Sequence, residues 1–186
     1  MVNRRSIPRR GAECVLTALL LASLPACARI HTVESRDAAF IYGFIDVPEN
    51  VGWANCVGII QEEKTAAGIG YRNGCMATSG EGLFFIQNVP PMRYTIHGFT
   101  IEKNHHNLGP LAKPFTVQAG SMHYVGTFKY RLISEPGLLK AGRFTLTPAG
   151  RPTHAEVLRK LLGQELVDAR WKRRIQARLR ELGAAD

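Results

Sequence analysis

Histidine side chains are the residues of this chain best suited to binding a metal ion. Four stand in its central part: His97, His105, His106 and His123. Neutral imidazole is the commonest metal ligand in proteins, so His105 and His106 are candidate ligands if folding brings another histidine beside them. Adjacent histidines in a polar stretch, here 102–110, are usually exposed to solvent. We therefore predict no bound metal and no cofactor.

Motifs that would assign a reaction are absent from the sequence. It contains no G-x-S-x-G nucleophile elbow, no H-E-x-x-H zinc helix and no phosphate-binding glycine loop. The four histidines are the one feature from which an enzyme could be predicted, and that enzyme would bind a metal or catalyse a hydrolysis. We predict a protein that is not an enzyme, and a histidine-based periplasmic enzyme is the alternative.

The cysteine at position 27 stands where a lipid could be attached. Four arginines in the first ten residues precede an apolar segment of ten residues, 15–24. This segment is shorter than the 20 or so apolar residues that span a bilayer, and it is typical of a signal peptide. Leu24-Pro25-Ala26-Cys27 resembles the bacterial lipobox. The resemblance implies that residues 1–26 are removed and that Cys27 carries palmitate or a similar acyl chain. A membrane-anchoring helix and an ordinary signal peptidase site are the alternatives.

The same features predict the location of the protein. A lipoprotein of this kind is attached to a membrane of the cell envelope and faces the periplasm. Ala28, rather than Asp, follows Cys27, which by analogy with enteric sorting favours the outer membrane. Residues 27–37 show no hydrophobic periodicity, and we predict that they form a tether.

The remaining cysteines of the exported chain are an even pair. Cys14 leaves with the signal peptide and Cys27 takes the lipid, so Cys56 and Cys75 remain. A pair of cysteines in an oxidising compartment predicts a disulfide, and their spacing fits no zinc or redox motif. Two buried free thiols are the alternative.

Residues 82–100 form the stretch around which the rest of the domain is organised. Two runs of strand-forming residues flank Asn88-Val89-Pro90-Pro91. Consecutive prolines lack backbone donors and restrict the preceding residue to extended geometry, so the junction cannot be helical. We predict two strands joined by a tight turn.

This stretch also carries a family resemblance. Gly82–Phe84 followed by Asn88–Tyr94 is similar to the G-x-F-x-F-x-N-V-P-P-G-x-Y signature of carboxypeptidase-regulatory-like, transthyretin-like modules, with Ile86 and Met92 as departures. The resemblance spans about residues 38–133. It implies an antiparallel β-sandwich, and a role in binding, bracing or spacing other components.

Further strands follow from local patterns. Residues 38–47 are apolar on both faces, as in a deeply buried strand. Residues 121–132 alternate with a period of two, with Gly126 marking a bulge or a close backbone approach. Residues 61–66 are predicted as a loop, and Asn73-Gly74 as a turn. We predict a mainly β domain over 38–150, an antiparallel β-sandwich of seven or eight strands.

In residues 151–186 the apolar residues recur with the period of a helix. Thr153 and Glu156 match a capping box, and Gly163 separates two apolar stripes, so we expect two helices or one bent helix. This amphipathic segment is a candidate interaction helix, either packing on the sandwich or contacting a membrane or an envelope protein. The candidate residues are Trp171, Lys172, Arg173, Ile175 and Leu179.

The positive charge is concentrated in that helical segment. Residues 151–186 hold 9 Lys and Arg against 5 Asp and Glu, whereas residues 28–150 hold 11 against 9. A basic face on one helix of an exported protein does not indicate nucleic acid as a partner. The sequence thus predicts a lipid-anchored, non-catalytic binding or structural module of the cell envelope.

Overall fold

The computed structural model describes residues 30, 32–65, 68–109, 112–134 and 142–184. The predicted signal peptide and Cys27 lie outside the described residues. Within them, the mainly β fold with C-terminal helices is confirmed. The strands are β1 (Ala39–Asp46), β2 (Ala54–Thr65), β3 (Gly68–Thr78), β4 (Leu83–Val89), β5 (Arg93–Ile101), β6 (Asn104–Asn107), β7 (Pro114–Thr116), β8 (Met122–Ser134) and β9 (Arg143–Pro148). A 3-10 turn covers Glu49–Val51, and the helices are α1 (His154–Leu162) and α2 (Ala169–Glu181).

Hydrogen bonds join these strands into one mixed sheet. Its order is β6-β5-β2-β3-β4-β1-β8-β9, and β7 pairs with β5. We predicted an antiparallel β-sandwich of seven or eight strands. Nine strands are described and form one curled sheet instead of two clearly separate layers, and the antiparallel arrangement is wrong for one pair, because β1 runs parallel to β8. The parallel pairing of β1 with β8 was not predictable from the sequence. A period-two pattern indicates which face each side chain occupies, but it does not indicate which strand lies alongside or in which direction that strand runs.

The sheet curls so that its two ends approach each other. Strand β3 pairs with β2 along most of its length and with β4 only at Ala77 and Thr78. Across the resulting interior, the ring centroids of Phe99 and Tyr130 lie 5.8 Å apart. His106 of edge strand β6 lies 5.1 Å from Phe144 of edge strand β9. The sheet is therefore a half-barrel with one apolar interior.

Strand β1 is buried on both faces, as its composition predicts. Ile41 and Ile45 point into the half-barrel. Phe40, Tyr42 and Phe44 point to the opposite side, where α1 and α2 cover them. The outward-facing side chains of β1 are therefore buried because a helical layer packs on the outside of the sheet.

A bulge in β8 divides its side chains between these two layers. Tyr124 pairs with Tyr42, but the next pair joins Gly126 to Gly43, so Val125 is an extra residue. Gly126 has φ 129°, a conformation that favours glycine. The bulge predicted at Gly126 is confirmed. The alternating residues of 121–132 therefore do not share one face, since Tyr124 faces the helices and Tyr130 faces the interior.

Strands β2 and β3 are longer than the sequence patterns predicted. Residues 61–65 belong to β2 instead of a loop, and Asn73 and Gly74 lie inside β3 opposite Ile60 and Ile59. Residues 104–107 of the predicted polar loop form β6. Asn73, Asn104 and His105 are exposed in these strands, whereas Gln61 is buried.

The predicted tether is attached to the domain over residues 33–37. Val33 donates a 2.6 Å backbone hydrogen bond to Asn88, and Gly120 donates one of 2.8 Å to Asp37. Arg170 of α2 donates hydrogen bonds to the carbonyl oxygens of Ser35 and Arg36, at 2.6 and 3.0 Å. This segment therefore has a defined path over the surface.

Candidate functional site

The apolar stripe of α2 packs on the sheet. Trp171 and Ile175 are fully buried and Leu179 is 5% exposed. The Trp171 ring lies 5.2 Å from the Phe40 ring of β1. These three residues are therefore not available to a membrane or a partner, and only the half-buried Lys172 and the exposed Arg173 of the proposed interaction set reach the surface.

Asn88, a bulged residue near the end of β4, fixes the position of α2. Its backbone has φ 61°, and its side-chain oxygen accepts a 2.9 Å hydrogen bond from Trp171 Nε1. Its side-chain nitrogen donates to Asp168 Oδ2 at 2.9 Å. The capping box at the start of α1 is also confirmed, because Thr153 N donates to Glu156 Oε2 and Glu156 N donates to Thr153 Oγ1.

The four candidate histidines are divided between the two faces of the sheet. His97 and His105 lie on the outer face, 6.1 Å apart between ring centroids. His106 stacks on Phe99 in the interior, and His123 stacks on Phe115 at 4.5 Å. Among the described residues, no three His, Cys, Asp or Glu side chains form a metal-binding group. The proposed four-histidine cluster is therefore not assembled.

Cys56 and Cys75 are placed as a disulfide between neighbouring strands. Their Cα atoms are 5.5 Å apart, which is within the usual range for a bridge. Cys75 pairs with Gly58 in the ladder between β2 and β3, so Cys56 lies diagonally across from it. The bridge joins the start of β2 to the part of β3 that leads into β4.

His154, which was not a candidate from the sequence, is part of an aromatic cluster. Its Nε2 lies 2.6 Å from the Tyr42 hydroxyl, and its ring stacks on Tyr124 at 4.3 Å. Burial and then the positive charge of Arg178 lower the pKa of His154. Burial raises the pKa of Tyr42. These pKa shifts favour the neutral forms of both side chains, and the cluster joins the start of α1 to the sheet. A groove of about 390 Å³, whose lining includes Arg174 and Arg178, lies beside the cluster.

A second opening, which is mainly apolar, lies between the two halves of the curled sheet. This cavity has a volume of about 370 Å³, and twelve of its fourteen lining residues are apolar. The lining residues come from strands at both ends of the sheet order. They are Ile45, Val57, Phe84, Ile96, Phe99, Leu108, Lys113, Pro114, Phe115, His123, Val125, Phe128, Leu146 and Pro148.

The two polar lining residues differ in charge. Burial lowers the pKa of His123, so its stacked imidazole favours the neutral form. Lys113 is exposed immediately before β7 and places an ammonium group at the side of an otherwise apolar opening. The sequence did not indicate this site, since each apolar residue in it also fits an ordinary core. Only the curl of the sheet leaves a space between them.

No family model, curated protein or solved structure matches this chain. None of the helices within the described ranges is both long enough and apolar enough to cross a membrane.

Proposed function

We propose that this protein is a lipid-anchored, non-catalytic module of the bacterial cell envelope that binds a small amphiphilic molecule in the sheet cavity. The observation that carries the proposal is the apolar opening of about 370 Å³ inside the half-barrel. Ligand sites commonly measure about 300–1,000 Å³, are mostly apolar and contain a few polar groups that orient the ligand. This cavity has each of those properties.

The lining favours a ligand with an aliphatic chain. Water in an apolar cavity lacks hydrogen-bond partners, whereas each CH₂ group transferred there from water contributes about 0.8 kcal/mol. Phe84, Phe99 and Phe128 supply rigid walls for such a chain. The ammonium group of Lys113 favours an anionic head group, so the ligand class is a short-chain carboxylate or phosphate amphiphile.

The anchor and location in this proposal derive from the sequence. Acylation at Cys27 would attach the domain to a membrane, with the periplasm as its surroundings and the outer membrane favoured by Ala28. An envelope protein is a further partner that suits the exposed basic side of α2. The separation of the histidines on opposite faces supports a binding role over the alternative enzyme.

We also propose that the domain is a variant of the transthyretin-like modules it resembles. Support comes from the turn that carries the resemblance, since Tyr94 donates a 2.7 Å hydrogen bond from its hydroxyl to the Pro90 carbonyl. The two halves of the curled sheet also enclose one core between them, as the layers of a sandwich do.

Competition binding to Cys27→Ser protein, purified without detergent, tests the cavity. A fluorescent fatty acid should bind saturably and be displaced by decanoate. Ile96→Trp should abolish binding by filling the cavity, while Ile133→Trp, at a position 53% exposed on β8, should not. Thermal melts identify any general damage, since overpacking costs about 1–3 kcal/mol.

The charge of Lys113 gives a second, independent readout. Lys113→Gln should weaken binding of decanoate about two- to fivefold, as expected for an exposed ionic contact worth about 0.5–1 kcal/mol. Binding of decanol should be unchanged. If neither amphiphile binds saturably to the unsubstituted cavity, the ligand-binding function is withdrawn.

A further inference from the structure

Strand β5 contains a bulge at His97. Gly58 of β2 pairs with Gly98, and the next pair joins Ile59 to Ile96, so His97 is an extra residue of β5. Ile96 lines the interior cavity, whereas His97 lies on the outer face of the sheet. Bulges re-aim side chains and are common beside functional sites. This bulge directs an imidazole ring away from the cavity.

Two glycines form the floor beneath a pair of imidazole rings. Gly58 and Gly98 lie directly opposite each other in neighbouring strands, where the β-carbons of such a pair are about 4.5–5.5 Å apart. A β-carbon at Gly58 would lie 2.6 Å from His97 Nε2. A β-carbon at Gly98 would lie 3.3 Å from His105 Nε2. The two Nε2 atoms therefore lie above adjacent points of the sheet, in space that side chains would otherwise fill.

The two rings are close enough to share one metal ion. The ring centroids of His97 and His105 are 6.1 Å apart. With metal–nitrogen bonds of about 2.0–2.1 Å, two imidazoles on one ion have ring centroids no more than about 6.4 Å apart. His105 is exposed and His97 is half-buried, so rotation of the side chains is enough to direct both nitrogens at a shared ion.

Thr100 gives His105 the outer contact that a metal-binding histidine usually has. The two residues pair in the ladder between β5 and β6, and Thr100 Oγ1 lies 3.3 Å from His105 Nδ1. A ligating histidine normally hydrogen-bonds through its second ring nitrogen, which fixes the tautomer and the ring orientation. When Nδ1 donates its proton to Thr100, Nε2 of His105 keeps a lone pair for the ion.

Folding brings together histidines that are not adjacent in the sequence. His106 follows His105 directly, but it stacks on Phe99 in the interior, because consecutive residues of a strand face opposite sides. His123 lines the interior cavity. Within the part of the chain that the structure describes, no third His, Cys, Asp or Glu completes a group with His97 and His105. Water would therefore fill the remaining positions on an ion.

We propose that His97 and His105 together bind one divalent transition-metal ion through their Nε2 atoms. Imidazole suits Zn²⁺, Cu²⁺ and Ni²⁺, and a given nitrogen site binds Cu²⁺ most tightly among the first-row divalent ions. The ion lies on the outer face of β5, whereas the cavity lies inside the half-barrel. The inference therefore goes beyond the proposed amphiphile binding and does not depend on it.

Titration with Cu²⁺ tests the site in Cys14→Ser, Cys27→Ser protein, which has no cysteine outside the disulfide pair. One equivalent should bind, and excess Zn²⁺ should displace it, whereas Mg²⁺, which prefers oxygen ligands, should not. The electron paramagnetic resonance spectrum should show coupling to two nitrogens. His105→Gln, at an exposed position, should weaken binding by at least about tenfold. His106→Gln, on the same short strand, is the matched control and should leave the affinity unchanged.

Variants at both positions distinguish one shared ion from separate sites. If the ion is shared, His97→Gln should also weaken binding, and the double variant should lose little more affinity than His105→Gln alone. Full affinity in His105→Gln, or a second equivalent that survives in it, would overturn the proposal. Half an equivalent together with a dimer mass would also overturn it, in favour of an ion held between two copies of the chain.

Discussion

The indole nitrogen of Trp171 donates a 2.9 Å hydrogen bond to the side-chain oxygen of Asn88. Asn88 is an extra, bulged residue near the end of β4, opposite β1, and Trp171 is a fully buried residue of α2. One asparagine thus forms the bulge of β4, through its positive φ, and secures the helical layer on the outside of the sheet.

Removing this bond should destabilise the protein. Asn88→Gly keeps a residue suited to φ 61° but leaves the buried indole without its acceptor, which costs about 1–3 kcal/mol. Trp171→Ala should cost about 3–5 kcal/mol, as for other buried aromatic residues. Denaturant unfolding measures both. Arg173→Ala, exposed on the same helix, is the control and should stay within about 0.5 kcal/mol.

The stability of the protein should fall as the solution is acidified below pH 6.5. Burial is the main cause that lowers the pKa values of His97, His106, His123 and His154 in the fold. The unfolded chain therefore binds protons at a higher pH than the folded chain, so stability is complete above about 6.5 and is lost below it.

Thermal melts between pH 8 and pH 5.5, before carboxylates titrate, check this sign. The melting temperature should decline on the acidic side, and His154→Gln should show a shallower decline because one of the four groups is removed. A melting temperature that rises on acidification would contradict the proposed burial of the imidazoles.

The cysteine pair should be oxidised in protein isolated from the periplasmic side. Closing a loop of about 20 residues stabilises a protein by roughly 3 kcal/mol, so reduction should lower the melting temperature. The Cys56→Ser, Cys75→Ser double variant should melt at the lower temperature with or without reductant. Two alkylatable thiols in unreduced, denatured protein would show that no bridge had formed.

Acylation should depend on Cys27 alone. Labelled palmitate should enter the unsubstituted protein and be absent from Cys27→Ser, which should leave the membrane fraction. Cys14→Ser is the control, because residue 14 lies in the segment to be removed. Equal labelling of the unsubstituted protein and Cys27→Ser would contradict a lipoprotein.

Several local features could be predicted from the sequence. The alternating pattern of 121–132 predicts a strand, the Gly126 bulge follows from a glycine within it, and Thr153 and Glu156 predict a helix start. The structure contains all three. Such features depend on residues one to four positions apart, so their physical causes are present in the local sequence.

Tertiary structure alone decided the pairing of the strands and the sites that pairing creates. The parallel contact of β1 with β8 depends on groups about 80 residues apart, and side-chain periodicity holds no information about direction. Long-range pairing also brings Val57 and Leu146 to one cavity. The opposite faces of His105 and His106, by contrast, follow from the two-residue period of the short strand β6. Sequence alone specifies which residues avoid water, whereas the curl of the sheet determines which of them meet and where a space remains between them.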